Sequence, residues 1–223
     1  MKFDAIPRVP GLIWLALFLL LGCTTQIPRE AAENGPPVPV PTTSPRGLRG
    51  GANGAMLAQT CFGCHGPEGR SGAPAIPSLA GLPEDYFIQV MQAYQFGGRH
   101  ASVMGRIALG YGQDEIARMA SYFSRVDFQP HAQRVKWGRI GQGRRLHRRY
   151  CRACHGDLKQ APSKGAARLN GGWLAYLRWT LQDYLIGINQ TDAEMSKQLT
   201  RLLKRHGNEG LEALLNYYAS ARP

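Results

Sequence analysis

The stretch Cys61-Phe62-Gly63-Cys64-His65-Gly66 decides how this chain is read, because it returns ninety residues later as Cys151-Arg152-Ala153-Cys154-His155-Gly156. C-x-x-C-H is the pattern to which c-type haem is attached. Two cysteines three apart lie on one side of a helical turn, so both reach the vinyl groups of one porphyrin edge, and the next residue comes under the iron. The competing readings of four such thiols are one four-thiolate zinc site or a pair of disulfides. Zinc has no use for a histidine directly after each cysteine pair. The pattern predicts two covalently bound haem c groups, held through Cys61, Cys64, Cys151 and Cys154, with His65 and His155 as axial ligands.

Working outward, the repeat extends well beyond the two motifs. Gly54, Leu57 and Cys61 correspond to Gly143, Leu146 and Cys151, with one residue inserted in the second copy. Leu79 and Tyr86 lie seven apart, as do Leu169 and Tyr176. Ile116, Met119, Tyr122 and Phe123 match Leu211, Leu214, Tyr217 and Tyr218 at a constant offset of 95. Self-similarity of this kind marks a duplicated unit. Each copy reads as a helix entering its motif, a central helix and a closing helix, with loops between.

The helices follow from periodicity. Phe87, Val90, Met91 and Tyr94 form one apolar stripe after Pro83, and Trp173, Tyr176, Leu177 and Leu181 form its counterpart. Thr191-Asp192-Ala193-Glu194 has the capping-box pattern ahead of Leu199, Leu202 and Leu203. Gly207 is placed to stop that helix and Asn208 to cap the next. Nothing reads as a sustained alternating strand, so the expected fold class is all-α. Each copy has only about 80–90 residues, where an apolar core alone is marginal, and a covalently held porphyrin would complete it.

The second axial position sets the redox chemistry: methionine raises the potential, a second histidine lowers it, and an open site binds ligands. Met195 is the second half's one methionine. In the first half Met91 and Met119 sit on apolar stripes, and Met56 lies too close to Cys61 to reach the opposite haem face. Met104 remains, in the loop-like run Ser102-Val103-Met104-Gly105. The spacings agree, with Met104 39 residues after His65 and Met195 40 after His155. His100, His131, His147 and His206 are expected at the surface, with His100 the runner-up ligand in the first half.

The chain ends imply export. Lys2 and Arg8 precede an apolar run from Gly11 to Leu21, a length suited to a signal peptide and short for a membrane span. It ends in Leu20-Leu21-Gly22-Cys23, which resembles a bacterial lipobox and makes Cys23 the expected lipid attachment site. A plain secretory signal or an uncleaved anchor is the alternative. Two or more acyl chains would hold the protein at a membrane, because each buried methylene contributes roughly 0.8 kcal/mol and one chain is marginal. Covalent haem attachment in bacteria likewise belongs outside the inner membrane, so the expected location is the periplasm, lipid-anchored. Thr24 lacks the aspartate that retains lipoproteins at the inner membrane, which tilts the expectation to the outer one. Pro36, Pro37, Pro39 and Pro41 make a semi-rigid tether. The expected organisation is a signal peptide (1–22), a tether (23–45), a first domain (46–128), a linker (129–134) and a second domain (135–223).

The net charge is +12, distributed unevenly. From Arg46 to Phe128 there are seven Arg and Lys against six Asp and Glu; from His131 to Pro223 there are seventeen against six. The second half thus carries nearly the whole excess, which suits an acidic redox partner. No nucleic-acid partner is expected of an exported haem protein.

Three further segments narrow the class: Pro74-Ala75-Ile76-Pro77-Ser78-Leu79-Ala80-Gly81-Leu82-Pro83, Ser102-Val103-Met104-Gly105-Arg106-Ile107 and Gly172-Trp173-Leu174-Ala175-Tyr176-Leu177. With the two motifs, they resemble the dihaem subunit of flavocytochrome c sulfide dehydrogenase, over roughly Gly54 to Ser220. The resemblance implies two tandem class I cytochrome c domains. It also implies a flavoprotein (FAD) partner that oxidises sulfide, and a soluble cytochrome or terminal oxidase as acceptor. On that reading the chain is the electron-transfer subunit of an oxidoreductase and not its catalytic chain. The lipobox-like anchor and the tether depart from the soluble form of such a subunit. They keep open a second role, an autonomous membrane-tethered carrier that delivers electrons to a terminal oxidase or reductase.

Overall fold

The computed structural model describes residues 51–158 and 165–221. The expected signal peptide, Cys23 and the proline-rich tether lie outside the described residues.

The first half runs α1 (Gly54–His65), α2 (Glu84–Gln95), α3 (Met104–Ala108) and α4 (Gln113–Ser124). The second runs α5 (Ile140–Tyr150), α6 (Arg152–His155), α7 (Leu174–Leu185) and α8 (Ala193–Tyr218). Among the described residues there is no strand, only one isolated bridge between Arg99 and Asn189. None of these helices is long and apolar enough to cross a membrane.

The same scaffold is built twice. α1 crosses α4, and α5 crosses α8. At each crossing a glycine lets two backbones touch. A Cβ on Gly54 would lie 2.3 Å from the Arg118 carbonyl oxygen, and one on Gly143 would lie 2.1 Å from that of Ala213. Arg118 and Ala213 are themselves 95 apart, the offset read from the closing helices. The backbone repeats too: Gly81 N–H donates to the Phe123 carbonyl, and Gly171 N–H to that of Tyr218, both at 2.8 Å.

The first core gathers Leu57, Phe87, Met91, Ile116, Met119 and Phe123; the second gathers Leu146, Leu177, Leu181, Leu202, Leu214 and Tyr218. The expected stripes supply most of these side chains, and Val90, Tyr94 and Tyr176 of the same stripes line a cavity. Gly207, at φ +58°, breaks α8 into the two helices expected there.

Two local expectations need correction. The cap of α8 is Asp192, whose Oδ1 accepts from the Met195 N–H at 3.0 Å. Thr191 instead donates its hydroxyl to Asn189 Oδ1. Met104 lies not in a loop but at the start of the short helix α3. The residue inserted in the second copy also has a visible effect. α1 runs unbroken through its motif, whereas the second-half helix is interrupted at Cys151, φ −121°, and restarts as α6.

The connecting segment is strapped to the second half. His131 N–H donates to the Gly171 carbonyl at 3.0 Å, and Gln133 bonds both Gly172 and Leu174.

Candidate functional site

Both motifs open onto one continuous cavity of about 840 Å³. His65, His155, Met104 and Met195 all line it, so the four expected axial ligands share one space. Cys61, Cys64 and Cys154 line it as well. Cys151 does not, being packed half-buried against the second core, where the helix is interrupted. Met91, expected only to pack, is buried in the first core and also reaches the cavity wall. Met56 is exposed, and Met119 is fully buried away from the cavity.

The two histidines are held identically. His65 Nδ1 meets the Pro77 carbonyl at 2.8 Å, and His155 Nδ1 meets that of Ala167 at 3.0 Å, each twelve residues downstream. A carbonyl only accepts, so Nδ1 carries the proton in both rings and Nε2 keeps its lone pair. This is the arrangement that orients a metal-ligating imidazole. Burial lowers both pKa values, against the raising effect of the carbonyl bonds, and favours the neutral, ligating form.

The first thiol of each pair is half-buried away from solvent. Burial pushes both Cys61 and Cys151 up, whereas reactive cysteines are held low. Among the described residues no three His, Cys, Asp or Glu side chains gather as a metal cluster. Paired thiols, a preset imidazole, methionine sulfur and apolar walls such as Leu79, Phe87, Leu169 and Leu177 together fit a porphyrin.

Three histidines expected at the surface are drawn into the fold, one of them completely. His147 is 1 % exposed; its Nε2 donates to the Gly156 carbonyl at 2.8 Å and its Nδ1 accepts from the Tyr218 hydroxyl at 3.1 Å. It thereby spans the helix interruption at Cys151. His131 stacks on Trp173, ring centroids 4.2 Å apart, bonds Ser78 Oγ and lines the cavity. His206 is half-buried and bonds the Tyr150 hydroxyl. His100 is exposed, as expected. His147 occupies the place of Ala58 in the repeat, and that polar-for-small exchange at a core position was the available signal.

The halves meet about a local two-fold axis. Gln190 N–H donates to the Gly98 carbonyl at 2.9 Å, and His100 N–H to that of Ile188 at 3.4 Å. Advancing the first-half residue by 90 and setting the second back by 90 turns one bond into the other. Arg99 and Asn189 pair on the axis itself. Around them, Trp173 Nε1 donates to the Ser71 carbonyl and Arg168 to that of Gly81.

Away from the cavity, Arg149, Arg201, Lys204 and Arg205 surround a cleft beside Tyr150. This gathers part of the second half's excess charge on one surface.

No protein-family model and no curated protein matches the sequence. Solved structures do match. Reduced recombinant cytochrome c4 from Pseudomonas stutzeri has a TM-score of 0.65 at 24% identity, over 76% of this chain and 97% of that one. Cytochrome c4 from Acidithiobacillus ferrooxidans gives 0.62 at 20% identity, over 73% and 99%. Thiosulfate dehydrogenase from Marichromatium purpuratum gives 0.62 at 24% identity, over 76% of this chain and 40% of that chain. The fold is that of two tandem class I cytochrome c domains.

Proposed function

We propose that this protein is a dihaem c-type cytochrome that carries single electrons. One observation bears most of the weight: in both halves the motif histidine is fixed by an Nδ1 bond to a carbonyl twelve residues on, beside a cavity that also receives a methionine. Bound haem supplies one-electron chemistry. The chain's own part is to hold the porphyrin through Cys61, Cys64, Cys151 and Cys154. It also sets the imidazole tautomers of His65 and His155, would offer the sulfurs of Met104 and Met195 to the iron, and would exclude water with its apolar walls. His/Met ligation favours a raised potential and electron transfer over ligand binding. Similarity to cytochrome c4, one of whose structures is described in terms of electron transfer, supports the reading.

The finer role, resting on the sequence resemblance, is that of the haem subunit that accepts electrons from a flavoprotein sulfide dehydrogenase. Similarity to part of a thiosulfate dehydrogenase supports a place beside a sulfur-oxidising partner. The nearly end-to-end match with cytochrome c4 favours the second reading, an autonomous tethered carrier. Both readings place the protein in the periplasm, held to a membrane by acylated Cys23.

The test has two stages. The purified protein should give a pyridine-haemochrome spectrum and a mass exceeding that of the apoprotein by two haems. Sulfide should then reduce those haems only when a flavoprotein partner is present. Reduction that never depends on a flavoprotein rejects the finer role and leaves the carrier.

A further inference from the structure

The second half carries a hydrogen-bonded pair in its core where the first half carries none. At corresponding positions of the repeat, Ala58 and Phe123 become His147 and Tyr218. All four are buried, Ala58 and Phe123 completely. Two polar side chains have thus entered one core together, and each answers the other: the Tyr218 hydroxyl donates to His147 Nδ1 at 3.1 Å. A lone exchange at either place would leave a buried polar atom without a partner, which is costly.

The other edge of the His147 ring shows what the pair acts on. Its Nε2–H donates to the Gly156 carbonyl at 2.8 Å, directly after His155. In the first half the matching carbonyl, that of Gly66, takes a backbone N–H from Gly69 at 2.9 Å. A side chain does for one motif what a tight backbone turn does for the other. Tyr218 reaches the opposite side of the same axial histidine. Its backbone carbonyl accepts from Gly171 N–H, at the end of the segment that begins with Ala167, whose carbonyl holds His155 Nδ1. The Cys151 thiol meets the Tyr218 hydroxyl as well. A closed circuit therefore runs from Tyr218 through His147 and Gly156 to His155, and back through Ala167 and Gly171. The first half has the backbone arm of this circuit, from Phe123 to Gly81, and lacks the side-chain arm.

Groups bonded behind a metal-binding imidazole fix its orientation and tune the metal. Resting on the dihaem reading above, we infer that His147 is a positioning residue for the second haem iron: closed onto Tyr218, it holds the corner at Gly156 and so sets the rotation of the His155 ring. Only this half needs the device, because α1 carries its motif on continuous helix while the second-half helix is interrupted at Cys151. The two irons thus differ in how firmly their axial imidazoles are held, and not only in the charge around them.

The test is proton NMR of the oxidised holoprotein, after haemochrome analysis has counted two haems. The unpaired electron of each iron spreads the methyl resonances of its porphyrin, and the spread reports the orientation of the axial ligands. Nuclear Overhauser contacts to Leu177, in the second-half wall, assign one methyl set to the second haem. H147A, which restores the first half's residue, should shift that set and leave the other in place. H147Q keeps a donor for Gly156 and should return the set towards its wild-type positions. Y218F removes one hydroxyl from the circuit and should shift the same set. The double variant H147A/Y218F, copying the first half's pair, should shift it no further than H147A alone. A merely structural role would lower stability with both sets in place. Both sets unmoved in H147A overturns the inference, as does equal movement of both, or an H147Q pattern identical to that of H147A. If H147A does not retain two haems, Y218F decides by the same criteria. Wild-type protein with fewer than two haems would defeat the dihaem reading itself.

Discussion

Gly143 and Ala213 stand so close that a single methyl group would not fit between them, a Cβ on Gly143 falling 2.1 Å from the Ala213 carbonyl oxygen. The obstacle is backbone, which cannot swing aside as a side chain would. Gly143→Ala should therefore force α5 away from α8, and Gly54→Ala should do the same to α1 and α4. Overpacking of this kind costs about 1–3 kcal/mol. Chemical denaturation of each variant checks it; a loss well under 1 kcal/mol in both would mean the crossings have slack.

His147 should make the second half sensitive to acid. Burial lowers its pKa below the ordinary value of about 6.5, even though the Gly156 carbonyl bond acts the other way. The unfolded state therefore binds the proton more readily, and stability is fully present above about pH 6.5 and lost as pH falls below it. His147→Gln, which keeps one donor and does not titrate, should flatten that decline. Urea melts at a series of pH values between 7 and 5, compared with wild type, decide it.

Met104 and Met195 should each account for one sulfur-to-iron bond. The weak absorption of such a bond near the red edge should persist at reduced strength in Met104→Ala and in Met195→Ala, and vanish in the double variant. Because Met91 also reaches the cavity wall, Met91→Leu is the control and should leave the band intact. A band that survives the double variant would move the assignment to other ligands.

The basic cleft of Arg149, Arg201, Lys204 and Arg205 should steer an acidic partner. Surface charges are screened over about 8–10 Å near physiological ionic strength, so the rate of haem reduction by that partner should fall steeply as salt is raised. Reversing two of these charges should lower the rate at low salt and flatten its salt dependence. Stopped-flow reduction across a salt series measures both.

Much of this architecture is written locally. The motif glycines, the closing-helix stripes and the break at Gly207 each follow from a few neighbouring residues, so a linear reading reaches them. The duplicated crossing was legible because Gly54 and Gly143 recur ahead of matching motifs. Other features depend on distant partners. His147 reads as one more residue in a basic run until Tyr218, 71 positions away, supplies a hydroxyl for it. His131 reads as linker until Trp173 provides a ring to stack on. The pairing of Arg99 with Asn189 has no periodic signature, since a single bridge needs no alternating pattern. The interruption at Cys151 was foreshadowed only as a one-residue discrepancy in the repeat, and the alternative capping residue, Asp192, stands one position beyond the expected one.

The rotation relating Gly98–His100 to Ile188–Gln190 gives the body two ends of similar backbone shape. A visitor recognising contour alone would dock at either end with equal ease and could carry an electron backwards. Lopsided cation placement removes that ambiguity for a charged visitor, because one half carries nearly all of the excess positive charge and the other is near neutral. Two copies of one scaffold thus differ chiefly in the charge each presents to its surroundings.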